Sequence, residues 1–149
     1  MHHLKYNAGK EIGVFLGNIY GNQLIQNEKW KTVDLIIPIP LHKKKEKKRG
    51  YNQSEWIAKG LSAGMKIPYN NNLLIRSDFT ETQTKKSRFQ RWENVKDVFQ
   101  LTDIEILKNK HIIICDDVLT TGATIEAAIN KLAIVSSIKI SIITLATAY

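Results

Sequence analysis

The stretch that decides the fold is residues 112–124, which read IIICDDVLTTGAT. Its apolar start predicts a buried strand, and the apolar stripe that follows at helical spacing predicts a helix from Gly122 to Leu132. A second β-branched run at residues 138–145 predicts another strand. Strand, helix and strand in this order, with apolar runs on both strands, are typical of a parallel βαβ unit.

Two carboxylates and a threonine-rich turn follow the first of these strands. Asp116 and Asp117 come directly after the apolar run, and residues 120–124 (TTGAT) open the helix. Parallel α/β sheets bind ligands beyond the carboxyl ends of their strands. A helix start offers N–H donors and a positive dipole end to a phosphate, whereas two carboxylates accept hydrogen bonds from vicinal hydroxyls. The pattern therefore predicts a sugar phosphate site, with the phosphate in the turn and the diol on the acids.

Further short strands are predicted in the part of the chain before this unit. Residues 33–39 predict a buried strand, and Pro38 and Pro40 mark its end. Leu73 to Ile75 and Val98–Phe99 predict two more short strands. Together these elements predict one α/β domain.

Two further helices are expected before and after the strand at residues 33–39. Apolar residues at helical spacing predict a helix from Gly9 to Tyr20, ended by Gly21 and Asn22; they are Ile12, Phe15, Leu16 and Ile19. Asn52 is a candidate N-cap for a helix to about Gly64, with Glu55 at the capping-box position.

Residues 76–97 have few apolar side chains and many Thr, Gln, Lys and Arg. A polar stretch of this length inside a compact domain is typical of a functional or a disordered loop. A short helix near Arg88 to Asn94 is the one element it suggests.

Composition narrows the class of protein. The chain has 149 residues, of which 43% are hydrophobic and 24% charged, as in ordinary globular domains. Its apolar runs are far shorter than the roughly 20 residues of a membrane span, and its start lacks the apolar region of a secretion signal. Cys115 is the only cysteine, which excludes internal disulfides and cysteine-rich zinc sites. We expect a cytoplasmic protein with no membrane insertion.

The net charge of +8 is unevenly distributed. Residues 42–50 carry six Lys or Arg and one Glu, and we expect them to form a basic loop. Such a cluster favours an anionic partner, namely phosphate, pyrophosphate or nucleic acid. A solvated loop that only keeps the protein soluble is the alternative.

Residues 115–124 resemble the phosphoribosyl pyrophosphate motif of type I phosphoribosyltransferases. More narrowly, the chain resembles the ComF family. Residues 37–42 (IPIPLH) with 49–54 (RGYNQS) are similar to that family's first block, and Leu4-Lys5-Tyr6 is similar to the segment that opens its transferase domain. Six further residues fall at the spacing of the ComF family's second block, namely Thr80, Gln83, Arg91, Asn94, Val95 and Phe99. Many members carry a cysteine-rich zinc region, and this chain has no Cys-x-x-Cys.

The resemblance implies the type I phosphoribosyltransferase fold, an α/β fold with a mostly parallel central sheet, flanking helices and a small hood. It implies one domain over residues 1–149, with residues 1–32 in the hood or an N-terminal helix. Residues 76–97 would be a flexible loop that closes over the site and excludes water.

The same resemblance implies roles for individual residues. Asp116 and Asp117 would bind the ribose hydroxyls, and Arg91 and Asp117 would be catalytic. The 5′-phosphate would be bound by Thr120, Thr121, Gly122, Ala123 and Thr124. The pyrophosphate would be bound by Leu41, His42 and Lys43. Mg²⁺ would bridge pyrophosphate and ribose oxygens, with no direct protein ligand expected.

Two functions remain open at this stage. The first is an enzyme that transfers phosphoribosyl from its pyrophosphate to an unidentified acceptor, without a covalent enzyme intermediate. The second is a non-catalytic protein of the same fold that binds this donor, or single-stranded DNA, as an accessory of DNA uptake. Single-stranded DNA or competence proteins are candidate partners, and a homodimer is left open. A kinase-like phosphate binder is disfavoured because the chain has no Gly-Lys-Ser/Thr P-loop.

Overall fold

The computed structural model describes residues 9–76 and 98–148. Four α-helices lie in these ranges: α1 (Gly9–Leu24), α2 (Lys43–Arg49), α3 (Gln53–Met65) and α4 (Ala123–Leu132). The strands are β1 (Leu35–Pro38), β2 (Leu74–Arg76), β3 (Phe99–Leu101), β4 (His111–Leu119) and β5 (Lys139–Thr147). None of the helices in the described ranges has the length and apolar character that a membrane crossing requires.

The central sheet is parallel, as predicted, and its strand order is β1-β4-β5. Beyond β1, Tyr69 forms one further parallel bridge with Ile36. The strands β2 and β3 form a separate antiparallel pair. Because β4 is central, it is hydrogen-bonded on both sides, from β1 along its first half and from β5 along nearly its whole length.

Alternate residues of β4 feed two apolar cores on opposite faces of the sheet. Ile112 and Ile114 pack with Ala128 and Leu132 of α4 and with the β2–β3 pair. Ile113 and Cys115 pack with α3 on the other face. This arrangement arises because successive side chains of a strand point to opposite faces of the sheet, and β4 is buried on both faces. The α/β fold class predicted from the sequence is confirmed.

The helix α1 runs past the predicted stop at Gly21 and Asn22 and ends at Leu24, so that prediction is wrong. Its contact face is also not the apolar stripe, because Phe15 and Ile19 are 64% and 43% exposed. A stripe of buried glycines faces α3 instead. A Cβ on Gly60 of α3 would lie 2.2 Å from the Val14 carbonyl oxygen, so the two backbones touch.

The basic segment at residues 42–50 is a helix rather than the predicted loop. His42 begins α2 through its ring Nδ1, which accepts a hydrogen bond from the Lys44 N–H at 3.1 Å. Gly50 ends the helix with a φ of +82°, a conformation that glycine adopts without strain. Lys, Glu and Arg are good helix formers, and capping at both ends makes a seven-residue helix feasible.

Several sequence predictions lie outside the described residues. They are the mobility of the loop at residues 76–97 beyond Arg76, the short helix near Arg88, the role of Arg91 and the segment Leu4-Lys5-Tyr6. They stay predictions.

Candidate functional site

Asp116 and Asp117 lie within β4, which corrects the expectation that they directly follow the strand. The strand continues to Leu119 because β5 provides a partner as far as the pair Leu119–Thr147. Oδ1 of Asp116 accepts a hydrogen bond from the Asp117 N–H at 2.9 Å, and Oδ1 of Asp117 accepts one from the Val118 N–H at 2.8 Å. The two carboxylates are therefore fixed by the sheet and by adjacent amides.

The Asp116 side chain is partly buried. Burial raises the pKa of its carboxyl above the ordinary value, and the neighbouring charge of Asp117 adds to this effect. Hydrogen bonds from the Ser54 hydroxyl and the Asp117 amide act in the opposite direction. A carboxyl with a raised pKa at the carboxyl end of a parallel sheet is typical of a functional site.

The predicted phosphate turn connects β4 to α4. Gly122 has a φ of +80° and precedes the first helical residue, Ala123. The first helical i−4 bond is donated by the Glu126 N–H to the Gly122 carbonyl at 2.9 Å. The Ala123 N–H points to the Thr121 hydroxyl at 3.4 Å, and the following amides precede the helical ladder, as the start of a helix requires.

The turn separates two concave regions. A cavity of about 30 Å³ brings together four of the seven residues predicted to hold ribose and phosphate, namely Asp116, Thr120, Gly122 and Thr124. The other three, Asp117, Thr121 and Ala123, do not line it. A larger cleft of about 300 Å³, lined mainly by apolar side chains, lies beside it and includes Thr121, Ile125 and Ile142. The carboxylate and most of the turn thus share one small polar cavity.

The predicted pyrophosphate residues follow β1 on the neighbouring strand. The Ile39 N–H donates to the Cys115 carbonyl at 2.8 Å, so the chain leaves β1 alongside the Asp pair. Leu41 and His42 are partly buried, and Lys43 is the first residue of α2. His42 uses Nδ1 for the helix cap, which is a structural role in addition to the predicted one.

Two residues without a predicted role in the site connect α3 to it: Asn52, for which the sequence predicted only the helix cap, and Ser54. Asn52 caps α3, because its Oδ1 accepts from the Ser54 N–H at 3.2 Å, and its Nδ2 donates to the Ile39 carbonyl at 2.9 Å. The Ser54 hydroxyl donates to Oδ1 of Asp116 at 2.8 Å. The motif RGYNQS was the available signal, since it follows β1 closely, but contacts over 62 positions cannot be read from spacing.

These bonds form a closed circuit. It runs from Cys115 to Ile39, then to Asn52 and Ser54, and returns through Asp116 to the adjacent Cys115. Cys115 itself is fully buried, and burial raises the pKa of its thiol far above the ordinary value. Its side chain packs in the core on the α3 face of the sheet.

The described residues contain no group of three His, Cys, Asp or Glu side chains that could enclose a metal ion. The oxygens near the cavity belong to carboxylates and hydroxyls, which are the donor types that suit Mg²⁺. This donor set fits an ion carried largely by the oxygens of a bound pyrophosphate and by water.

Comparison with known proteins identifies the domain. Residues 52–148 match the phosphoribosyl transferase domain. Competence protein F of Haemophilus influenzae is 37% identical over 106 residues, which are 68% of this chain and 44% of the relative. The DNA utilization protein YhgH of Escherichia coli O157:H7 is 29% identical over 128 residues, 84% of this chain and 56% of the relative. The chain thus spans about half the length of these relatives.

A solved structure supports the fold. A hypoxanthine phosphoribosyltransferase of Staphylococcus aureus superposes with a TM-score of 0.58 at 15% identity, covering 99% of this chain and 71% of that one. At this identity the likeness concerns the fold alone. Because the family model covers residues 52–148, more than half of the sequence, this chain belongs to the phosphoribosyl transferase domain family.

Proposed function

We propose that this chain binds 5-phosphoribosyl 1-pyrophosphate with Mg²⁺ and transfers the phosphoribosyl group to an acceptor that its sequence does not name. The observation that carries the proposal is the shared cavity of Asp116 with Thr120 and Thr124 at the carboxyl end of β4. The carboxylate that would accept from the sugar diol and the turn that would donate to the 5′-phosphate are therefore adjacent.

The ligand's charges match those of the site. The uncharged diol would lie on the Asp pair, which repels phosphate, and the anionic pyrophosphate would lie towards Leu41, His42 and Lys43. Lys43, the first residue of α2, would supply the positive charge nearest the pyrophosphate. Bound Mg²⁺ would neutralise the charge of the leaving pyrophosphate.

The residues themselves act by positioning and by electrostatics. Asp117 would stabilise the sugar as positive charge develops at its anomeric carbon, and Arg91 would contact the departing pyrophosphate. No side chain is assigned as a nucleophile, so transfer would be direct to the acceptor. The cytoplasm is the compartment in which we expect this reaction, since the one cysteine is a buried free thiol.

Calorimetric titration with phosphoribosyl pyrophosphate and Mg²⁺ tests the proposal. Asp116→Asn combined with Asp117→Asn should remove measurable binding, because hydrogen bonds to charged acceptors contribute about 1.5–3 kcal/mol each. Asp103→Asn is the matched control, since the Asp103 carboxylate accepts from the Glu105 N–H and does not line the cavity. Unchanged affinity in the double variant would remove the proposal.

A second candidate function is a non-catalytic accessory of DNA uptake that binds the donor or single-stranded DNA. The five lysines of α2 are exposed to solvent, and relatives are named for competence and DNA utilization. Release of pyrophosphate on addition of candidate acceptors separates the two functions. Donor binding without release of pyrophosphate across bases, amines and nucleic acids would favour the accessory protein.

A further inference from the structure

We propose that Ser54 is a positioning residue for Asp116: its hydroxyl holds Oδ1 so that Oδ2 is the oxygen presented to the ribose of the donor. This inference rests on the proposed function and assigns a role to a residue outside the Asp pair and the phosphate turn.

The geometry of Asp116 supports this assignment. Both hydrogen bonds given to its carboxylate end on Oδ1, one from the Ser54 hydroxyl at 2.8 Å and one from the Asp117 amide at 2.9 Å. With two donors on one oxygen, the carboxylate plane is fixed. Asp116 also borders the small polar cavity. Oδ2 receives neither of these two bonds and is the oxygen that we expect to accept from a ligand.

The position of Ser54 is itself fixed. Only 4% of the residue is exposed, and it is the second residue of α3. Its N–H donates to the Asn52 side chain, which is in turn bonded to the Ile39 carbonyl beside β4. The cap of α3 is already provided by Asn52, so the Ser54 hydroxyl is not needed there. It donates to Asp116 of β4 instead.

The hydrogen bond from Ser54 also affects the pKa of the Asp116 carboxyl. Burial and Asp117 favour the protonated carboxyl, and a donated O–H favours the ionised one. Among the described residues, Asp117 is the charged group that acts on Asp116, while the adjacent Cys115 thiol stays protonated and α3 contributes the neutral Ser54. Loss of the hydroxyl should therefore move protonation of Asp116 to higher pH.

The experiment compares Ser54→Ala, Ser54→Cys and Ser54→Thr. Cysteine keeps the volume but is a weak donor, so it tests the hydroxyl even where alanine disturbs packing, and threonine restores the O–H. Ser62→Ala is the matched control, because Ser62 lies on the same helix and donates to the Ile67 carbonyl instead. Donor affinity is measured from acidic to neutral pH, and the Asp116 carboxyl is titrated by NMR in the free protein.

We expect the alanine and cysteine variants to bind the donor about tenfold more weakly at neutral pH. The pH at which their affinity falls, and the NMR titration of Asp116, should both move upward. Threonine should restore both midpoints, and Ser62→Ala should alter neither. Wild-type affinity and midpoints in the cysteine variant would overturn the role of Ser54 and leave the proposed function intact. A wild-type chain that does not bind the donor would reject the proposed function, while the NMR titration would still decide whether Ser54 acts on Asp116.

Discussion

The side-chain amide of Asn52 donates a 2.9 Å hydrogen bond to the carbonyl oxygen of Ile39 and so joins the start of α3 to the end of β1. The same side chain accepts from the Ser54 N–H, so one residue serves both as a helix cap and as a tie to the candidate pyrophosphate turn. A capping argument from the sequence accounts only for the bond from the Ser54 N–H, and not for the tie to Ile39.

Asn52→Asp separates these two roles. Aspartate caps a helix as well as asparagine does, but it cannot donate to the Ile39 carbonyl. The buried carbonyl would lose its partner and face a carboxylate, so we expect the free energy of unfolding to fall by about 1–3 kcal/mol. Urea denaturation measures this loss. Asn70→Asp is the control, because the Asn70 side chain accepts from the Asn72 N–H and is only partly buried; equal losses in the two variants would contradict the tie.

The two ends of α2 should differ in function. Lys43 begins the helix next to the turn after β1, whereas the later lysines lead away from it. We expect Lys43→Ala to weaken donor binding. A combined alanine substitution of Lys44, Lys45, Lys47 and Lys48 should leave donor affinity nearly intact but reduce the salt dependence of single-stranded DNA binding, where each phosphate contact contributes roughly 0.7 to the slope. The reverse order of effects would show that the pyrophosphate lies elsewhere.

The contact between α1 and α3 should tolerate alanine at one glycine and not at another. A Cβ on Gly60 would lie 2.2 Å from the Val14 carbonyl oxygen, whereas a Cβ on Gly13 would lie 3.2 Å from the Trp56 Cβ. We expect Gly60→Ala to lower the free energy of unfolding by roughly 2 kcal/mol. Gly13→Ala should stay within about 1 kcal/mol of the wild type, because alanine is the better helix former. Chemical denaturation of both variants provides the comparison, and a neutral Gly60→Ala would mean that the helices are further apart.

His111 should make stability depend on pH. Its ring lies 2.8 Å from the Thr32 hydroxyl and 2.9 Å from the Ser141 hydroxyl, and burial and Lys139 lower its pKa below the ordinary value. The unfolded chain therefore binds more protons than the folded one as pH falls through about 6.5. We expect the melting temperature to fall from pH 7.5 to pH 5, and His111→Gln to reduce this decrease. A pH dependence identical in the two proteins would exclude His111 as its source.

The hydrophobic pattern of the sequence was sufficient to predict the central strands, α3 and α4, because apolar side chains decide the burial of these elements. It did not predict two features. The basic run after Leu41 is helical through its caps, which a charge count does not register. The apolar stripe of α1, including Phe15 and Ile19, does not face α3, because close approach of glycine backbones decides that contact.

The candidate site divides in the same way. Asp116, Asp117 and the turn at residues 120–124 were identifiable because they are contiguous and connect a strand to a helix. Ser54 was not, because its contact with Asp116 depends on how α3 packs across the sheet. Spacing along a single chain contains no information about such a crossing.

The glycine contact between α1 and α3 bears on how this domain can change in evolution. Because backbone meets backbone there, few side chains of α1 contribute to the fit, and most of its positions should drift freely once the small residues are kept. The family model, which begins at residue 52, leaves α1 outside its match. We therefore expect distant relatives to be recognised in this region by regularly spaced Gly or Ala on both helices, with little other identity.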